Sequence, residues 1–337
     1  MIGTTITQFL IEEQRRFPSA TGDLTSVIND IVTACKTIAA ALRYGALSVE
    51  EILGISGTRN SQGEAQKNLD VIANRLFLQC AETGGHVAAM ASEEMDSIHQ
   101  LPGSEPKGRY LLLYDPVDGS FSISENASIG TIFSILKRPE DATGRPELAE
   151  LLQPGVNQVC AGYAIYGPSC MIVMTTGNGT NGFTLDPLVG EFILTHPAMS
   201  IVPSSPRFSA NVGWIKEWVE PLRQYARDRI DSTGVFSGVE VDYRWSRCMV
   251  TDVHRILMSG GVWASAANDA LRERGHDGVM RMLYEVNPMA FIVEQAGGLA
   301  YSGKQRVLEL DISDLHQRGS AVIGSRDDVE LFLKEYC

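Results

Sequence analysis

No Cys-x-x-Cys pair occurs in this chain: its six cysteines, Cys35, Cys80, Cys160, Cys170, Cys248 and Cys337, are scattered along it. Thiols so placed fit a reducing compartment and give no support to a zinc or redox site. Positive charge is also scarce. Against 41 acidic residues stand 28 Lys and Arg, a formal charge of −13, which argues against broad binding to a nucleic-acid backbone. A local basic pocket for a small phosphorylated ligand is still compatible with that balance. No uninterrupted apolar run approaches membrane-spanning length. The opening Met1-Ile-Gly-Thr-Thr-Ile-Thr-Gln8 lacks the basic and apolar regions of a signal peptide. A cytoplasmic protein is expected, with neither nucleic acid nor membrane as partner. Asn126-Ala-Ser and Asn178-Gly-Thr match the glycosylation pattern, and without a secretion signal both are read as chance. What remains is ordinary: 337 residues, 44% hydrophobic and 20% charged, enough for one large or two moderate domains with a substantial core.

Taken in order, Thr4–Arg16 reads as an amphipathic helix and roughly Leu24–Tyr44 as a longer one, with Ile28, Ile31, Val32, Cys35, Ile38 and Ala39 on one face. Between them lies a polar turn, Ser19 to Thr25, whose helix-start N–H groups can cap the helix or receive an anion. Gly54–Gly63 is a glycine-rich loop and a candidate mobile segment, and Ala65–Cys80 returns to helical spacing. There a surface carboxylate at Asp70 needs no explanation. Strands are expected at His86–Ala91, from Tyr110, at Ile129–Leu136, Ala161–Tyr166, Met171–Thr176 and Gly182–Leu185. Gly177-Asn-Gly-Thr-Asn-Gly182 matches G-x-G-x-x-G, but a dinucleotide fingerprint needs a helix to begin there. The following Phe183-Thr-Leu-Asp-Pro187 reads as another strand, so a hairpin is expected. From His196-Pro197 to Pro206 the chain turns polar, dividing it into residues 1–197 and 198–337. Beyond, Trp214–Ile230 and Met249–Met258 read as helices and Val262–Ala264 as a strand, and Asp269–Gly278 as a charged insert. Met282–Val286 resembles a strand carrying Glu285, followed by a helix capped by Asn287-Pro288 and ended by Gly297-Gly298. Alternating strands and helices over this length indicate a layered α/β or α+β enzyme.

Two carboxylate pairs and one further acid fall at junctions. Glu93 and Glu94 follow one apolar run, and Asp115-Pro-Val-Asp118-Gly-Ser120 ends another. Glu285 stands before the capped helix. Each acid alone reads as a solvated surface residue. Together they form the set that a metal-assisted phosphoryl hydrolase needs around hard cations such as Mg²⁺, with Arg281 available to offset phosphate charge.

These residues carry a family resemblance. Thr21-Gly-Asp-Leu-Thr25, Lys67-Asn-Leu-Asp70-Val, Ser92-Glu-Glu94, Asp115-Pro-Val-Asp-Gly-Ser120 and Ser128-Ile-Gly-Thr-Ile-Phe133 match, as do Leu152-Gln-Pro-Gly155, Ala161-Gly-Tyr-Ala164, Met249-Val-Thr-Asp-Val-His-Arg255 and Leu283-Tyr-Glu-Val-Asn-Pro-Met-Ala290. Over nearly its full length the chain resembles the class I fructose-1,6-bisphosphatases, a branch of the inositol-phosphatase superfamily. The resemblance implies an αβαβα sandwich of two packed subdomains, the first with an AMP-type site and most metal ligands, the second with the sugar-phosphate pocket. It implies two or more Mg²⁺ per subunit (Mn²⁺ as a substitute) held by Glu93, Asp115, the Val117 carbonyl, Asp118 and Glu285. Asp70 and Glu94 would polarise the attacking water, and Glu64 falls where the family has an aspartate on its dynamic loop. Gly119 and Ser120 would meet the scissile phosphate, with Phe121, Asn211, Trp214, Arg244, Trp245 and Arg281 around the substrate. Arg281 and Arg244 would face the far end of the sugar bisphosphate, Arg244 coming from a neighbouring subunit of a dimer or, more usually, tetramer. Thr21, Gly22, Asp23, Leu24 and Thr25, backed by Arg109, Tyr110 and Lys137, resemble the AMP loop, with Arg109 and Lys137 exchanging the usual lysine and arginine.

The departures are not spread evenly. The metal set is intact. In the sugar pocket the usual Asp-Gly-Ser-Ser-Asn-Ile-Asp is Asp118-Gly-Ser-Phe121-Ser122-Ile-Ser124, two tyrosine positions are Trp214 and Trp245, a third is Ser265, and the lysine before Arg281 is Val279. Each lost charge-assisted contact is worth about 1.5–3 kcal/mol. Arg247 stands where the family has glycine and adds a charge. The resemblance therefore implies hydrolysis of fructose 1,6-bisphosphate. The altered pocket opens two alternatives: a phosphatase for another sugar phosphate or an inositol-type monophosphate, and a weakly catalytic regulatory paralogue.

Overall fold

The apolar run that begins at Tyr110 forms the strand Tyr110–Asp118, and its side chains divide by parity. Leu111 and Leu113 enter one core with Ile132 and Val250, whereas Leu112 and Tyr114 enter another with Ile28, Phe77 and Phe133. A strand apolar on both faces must be covered on both, and the architecture follows from that need. The structure, a computed structural model, describes residues 3–16, 21–44, 55–59, 65–101 and 108–337.

Tyr110–Asp118 lies within an eight-stranded sheet, flanked by Val87–Ser92, to which it is parallel, and by antiparallel Ile129–Lys137. The outer face is covered by the helices Ile6–Gln14, Asp23–Leu42 and Asn68–Gly84. Asp23–Leu42 is long and apolar enough to cross a membrane by composition, yet its Val27, Ile28, Ile31, Val32, Cys35 and Ile38 are buried in this core. The inner face packs on the helices Met249–Ser259 and Asn287–Gln295. These in turn meet a six-stranded sheet whose Trp263 and Ile323 point inward. The alternate residues Val262, Ala264 and Val322 face the last layer, helices Leu222–Asp231 and Arg326–Glu335. Helix, sheet, helix, sheet, helix: the expected αβαβα sandwich is the observed one.

Several local expectations are corrected. Gly54–Gly63 contains a strand, Ile55–Arg59, paired with Ala65–Lys67, so the third helix starts at Asn68 rather than Ala65. The rest of that loop, and Glu64 just after it, lie outside the described residues. Trp214–Ile230 is not one helix: a short 3₁₀ turn, Ile215–Glu217, precedes Leu222–Asp231, with Pro221 at the break. Strand Glu191–Met199, not expected from the sequence because Pro197 and the polar Thr195-His196 interrupt its apolar start, forms the sheet edge. Most consequential, Met282–Val286 is a π-helix running directly into Asn287–Gln295, not a strand capped by Asn287. All five of its residues are buried, and a run this short carries no period to tell helix from strand. The G-x-G-x-x-G match is the hairpin between Cys170–Thr175 and Thr180–Asp186, as read.

On the Met249–Ser259 helix, His254 hydrogen-bonds through Nδ1 to the Tyr163 hydroxyl at 2.9 Å. Burial, with a smaller contribution from His196, pushes its pKa down to about 4. The folded state thus prefers the neutral ring. The stability that this confers is complete above about pH 6.5 and is lost as pH falls through about 4, at most about 3 kcal/mol. Denaturant titrations at pH 7 and pH 4.5 should show the stability of His254→Gln falling less between the two than that of the unmodified protein.

Candidate active site

Three residues apart on a regular strand, Asp115 and Asp118 would face opposite sides of the sheet. They line one cavity because the strand bulges between them: Asp115 pairs with Ile132 but Asp118 with Gly130. Pro116 occupies the bulge, where its missing N–H sacrifices no ladder bond, and its carbonyl accepts the Thr131 hydroxyl at 2.7 Å. Gly119 follows at φ +79°, where a Cβ would stand 2.6 Å from that of Cys248. Only glycine satisfies both constraints.

Glu93 follows the parallel neighbour strand, its backbone N–H donating to the Tyr114 carbonyl at 3.2 Å, and Glu285 arrives from the π-turn. Carboxylate oxygens of Glu93, Asp115 and Glu285 lie within 4.8 Å of one another. Asp115 accepts the Val117 N–H at 2.9 Å and Glu285 that of Arg281 at 2.6 Å, while the Arg281 guanidinium contacts Glu93. Burial first, then the charge of Glu93, holds the pKa values of Asp115 and Glu285 well above the ordinary carboxylate range. Asp118 stands just outside this trio. Its Oδ2 accepts the Val250 N–H at 2.6 Å and the Cys248 thiol at 3.2 Å, at the start of the Met249–Ser259 helix. Burial still raises its pKa to about 6 despite those bonds.

Asp70 is a buried carboxylate rather than a surface one. Its Oδ2 accepts the Lys67 N–H at 2.8 Å, whereas its buried Oδ1 has no hydrogen-bond partner among the described residues. Burial raises its pKa to about 7. Glu94, half-buried, lines the same cavity. Buried carboxylates this close, with one oxygen unsatisfied, suit hard divalent cations, which take oxygen ligands and cancel like-charge repulsion.

The cavity holds about 460 Å³, the size of a small-molecule site. Seven carboxylates line it against three arginines, Arg247, Arg281 and Arg318, so any anionic ligand depends on added positive charge.

Two family models match the chain: "Fructose-1-6-bisphosphatase, N-terminal domain" over residues 4–197, and "Fructose-1-6-bisphosphatase, C-terminal domain" over residues 201–336. The chain belongs to the fructose-1,6-bisphosphatase family. It is 47% identical to the "Fructose-1,6-bisphosphatase class 1" of Hydrogenophilus thermoluteolus, the match covering 97% of this chain and 90% of that one. It is 45% identical to the protein of that description in Halorhodospira halophila, over 98% and 97% of the two chains. Among solved structures, the fructose-1,6-bisphosphatase of Leishmania major in holo form superposes with a TM-score of 0.89 at 36% identity, over 98% of each chain. The T-state form of that enzyme gives 0.84 at 35% identity, again over 98% of each.

The structure brings Asp70, Glu93, Glu94, Asp115, Val117, Asp118, Gly119, Ser120, Phe121, Asn211, Trp214, Trp245, Arg281 and Glu285 around the cavity. Arg281, expected to face the far end of the substrate, lines the cavity with its guanidinium among the buried acids, against Glu93. The reason is electrostatic: a buried carboxylate cluster draws the nearest guanidinium. Arg244 does not line the cavity of its own chain. It is exposed, ion-paired to Asp242 at 2.7 Å and donating to the Tyr243 carbonyl. The start of Asp23–Leu42 lies near Tyr110, where Asp23, Lys137 and Arg109 all act on the phenol. There Asp23 pairs with His86 at 3.3 Å and Lys137 with Glu140 at 3.0 Å, while Gly22 caps the helix at φ +87°. Thr25 donates to Gln14 at 3.3 Å; Thr21 and Leu24 belong to the same turn and first helical turn.

Sequence reasoning missed Arg318, Cys248 and Asp252 in the cavity lining. Arg318 arrives on a two-residue strand paired with Met280–Arg281, its Nη1 donating to the Val279 carbonyl at 2.7 Å. No local pattern announces a contact that distant. Cys248 was legible only as one more scattered thiol.

Proposed function

We propose that this protein is a phosphoric monoester hydrolase that converts D-fructose 1,6-bisphosphate and water to fructose 6-phosphate and phosphate, with magnesium as its ion. The observation that carries this reading is the Glu93–Asp115–Glu285 trio at the base of a cavity of sugar-phosphate size, in a chain of this family. Those three acids, with Asp118 and the Val117 carbonyl beside them, would hold the ions. Bound divalent cations neutralise phosphate oxygens and lower the pKa of water. Asp70, its pKa raised to about 7, and Glu94 would take the proton of the attacking water, since a base works best near the operating pH. Gly119 and Ser120 open a 3₁₀ turn, Ser120–Glu125, whose first N–H groups suit a phosphate oxygen. Arg281 balances the acids and the incoming phosphate together.

A tetrameric, cytoplasmic enzyme belongs to the same reading, with the exposed Arg244 reaching a neighbouring site. So do subdomains divided near residue 197, and an AMP-type site at Thr21–Thr25 with Arg109, Tyr110 and Lys137. At that site the Asp23–His86 and Lys137–Glu140 pairs compete with an anion, which favours weak regulation. The altered lining at Phe121, Ser265 and Val279 supports a second reading, a shifted sugar phosphate. One assay decides: phosphate release from a panel of sugar bisphosphates and monophosphates, with Mg²⁺ and with a chelator. Saturable, Mg²⁺-dependent release fastest from fructose 1,6-bisphosphate is expected. Faster release from another sugar phosphate would favour the second reading, and no release from any ester would overturn both.

A further inference from the structure

Of the three arginines lining the cavity, two are tied to its floor and walls. Arg281 contacts Glu93, and Arg318 donates to the Val279 carbonyl. Arg247 is held differently. Its guanidinium lies over the face of Phe121, 5.4 Å from the ring centroid, and it makes no hydrogen bond or ion pair among the described residues. Phe121 is 55% exposed and Arg247 is exposed too. Asp115 and Glu285, by contrast, are buried. The pair therefore sits at the mouth of the cavity and the acids at its base.

The backbone at Arg247 is costly. Its φ of +62° is left-handed, a conformation worth about 1–2 kcal/mol to avoid for a residue with a Cβ. Neighbouring bonds impose it: Ser246 donates through its N–H to Asp252 and through its hydroxyl to the Cys248 carbonyl, and accepts the Cys248 N–H. Glycine would meet that geometry without strain. An arginine there spends stability to hold a cation at the mouth, and strain of this kind gathers at functional positions.

We propose that Arg247, seated on Phe121, binds the substrate phosphate that is not cleaved, and so sets the preference for a bisphosphate over a monophosphate. Phe121 is the positioning residue: stacking pre-orients the planar guanidinium while its N–H groups stay open to a phosphate. Phosphate held at the base by the acids and their ions leaves the second phosphate near the mouth, where no other lining residue adds an uncommitted positive charge. The inference rests on the sugar-bisphosphatase reading above.

The test compares Arg247→Gly, Arg247→Lys and Phe121→Leu with the unmodified enzyme. Glycine suits the left-handed backbone, so Arg247→Gly should fold at least as well while lacking the guanidinium. Its KM for fructose 1,6-bisphosphate is expected to rise ten- to a hundredfold, on the order of one lost charged hydrogen bond or two, with kcat changed far less. The bisphosphate-to-fructose-1-phosphate ratio of kcat/KM should fall by a similar factor. Arg247→Lys should recover part of the loss, and Phe121→Leu should raise KM by a smaller factor. An unchanged KM, or equal losses on both substrates, would overturn the proposal. Calorimetric binding of fructose 6-phosphate separates the two readings: if the unmodified protein hydrolyses nothing, the function fails, yet weaker binding to Arg247→Gly still supports the arginine's role and equal binding still refutes it.

Discussion

Asp115→Asn is expected to lower kcat/KM by on the order of a thousandfold, as removal of a group that organises transition-state charge does, while making the cation-free protein more stable. The two effects share one cause. Asp115 is 3% exposed and sits within reach of Glu93 and Glu285, so burial and like charge both oppose its ionisation. Groups whose pKa is raised by folding stabilise fully below their unfolded pKa and lose that contribution as pH rises through the folded value. For Asp118 the window runs from about 4 to about 6. In chelator, the unmodified protein should therefore melt at lower temperature as pH rises through that range. Asparagine carries no charge and its side-chain oxygen can still accept the Val117 N–H. The melting temperature of Asp115→Asn in chelator at pH 8 should thus exceed that of the unmodified protein, and added Mg²⁺ should raise it less. Reduced stability in chelator together with full activity in Mg²⁺ would remove Asp115 from the ion site.

The second large effect is on kcat alone. Asp70→Asn keeps an acceptor for the Lys67 N–H, so the junction between Ala65–Lys67 and Asn68–Gly84 should hold and the far-ultraviolet spectrum should not change. What asparagine cannot do is accept a proton. Loss of a general base costs about 10²–10⁴ in rate, and because it acts after binding, KM should move little. A kcat within tenfold of the unmodified enzyme would assign proton removal to Glu94 instead, and Glu94→Gln is the matching comparison.

How much was legible beforehand varied with the element. Strand Tyr110–Asp118 announced itself by an apolar run, and helices Asp23–Leu42 and Met249–Ser259 by their periodicity, because burial on one face or both leaves a pattern in a single segment. Met282–Val286 did not, since burial on every side erases the period, and a strand was read where a π-turn delivers Glu285. Asp70 looked like an unremarkable helix-surface acid. Its burial depends on a sheet that closes over it from residues far along the chain. Arg318, likewise, enters through a two-residue strand pairing too short to signal itself.

The amino-acid sequence by itself determined the kind of chemistry, because carboxylates bracketed by glycine and proline at strand ends are local features that survive in one dimension. It also determined the layering, through alternating apolar periods. Tertiary structure decided what those residues do together. A bulge turned Asp115 and Asp118 into one cavity, an acid cluster drew Arg281 to Glu93, and a left-handed turn set Arg247 on Phe121. Each of these depends on how segments remote in the chain are brought together, because Coulombic and stacking energies are set by the distance, orientation and burial that only the folded chain defines.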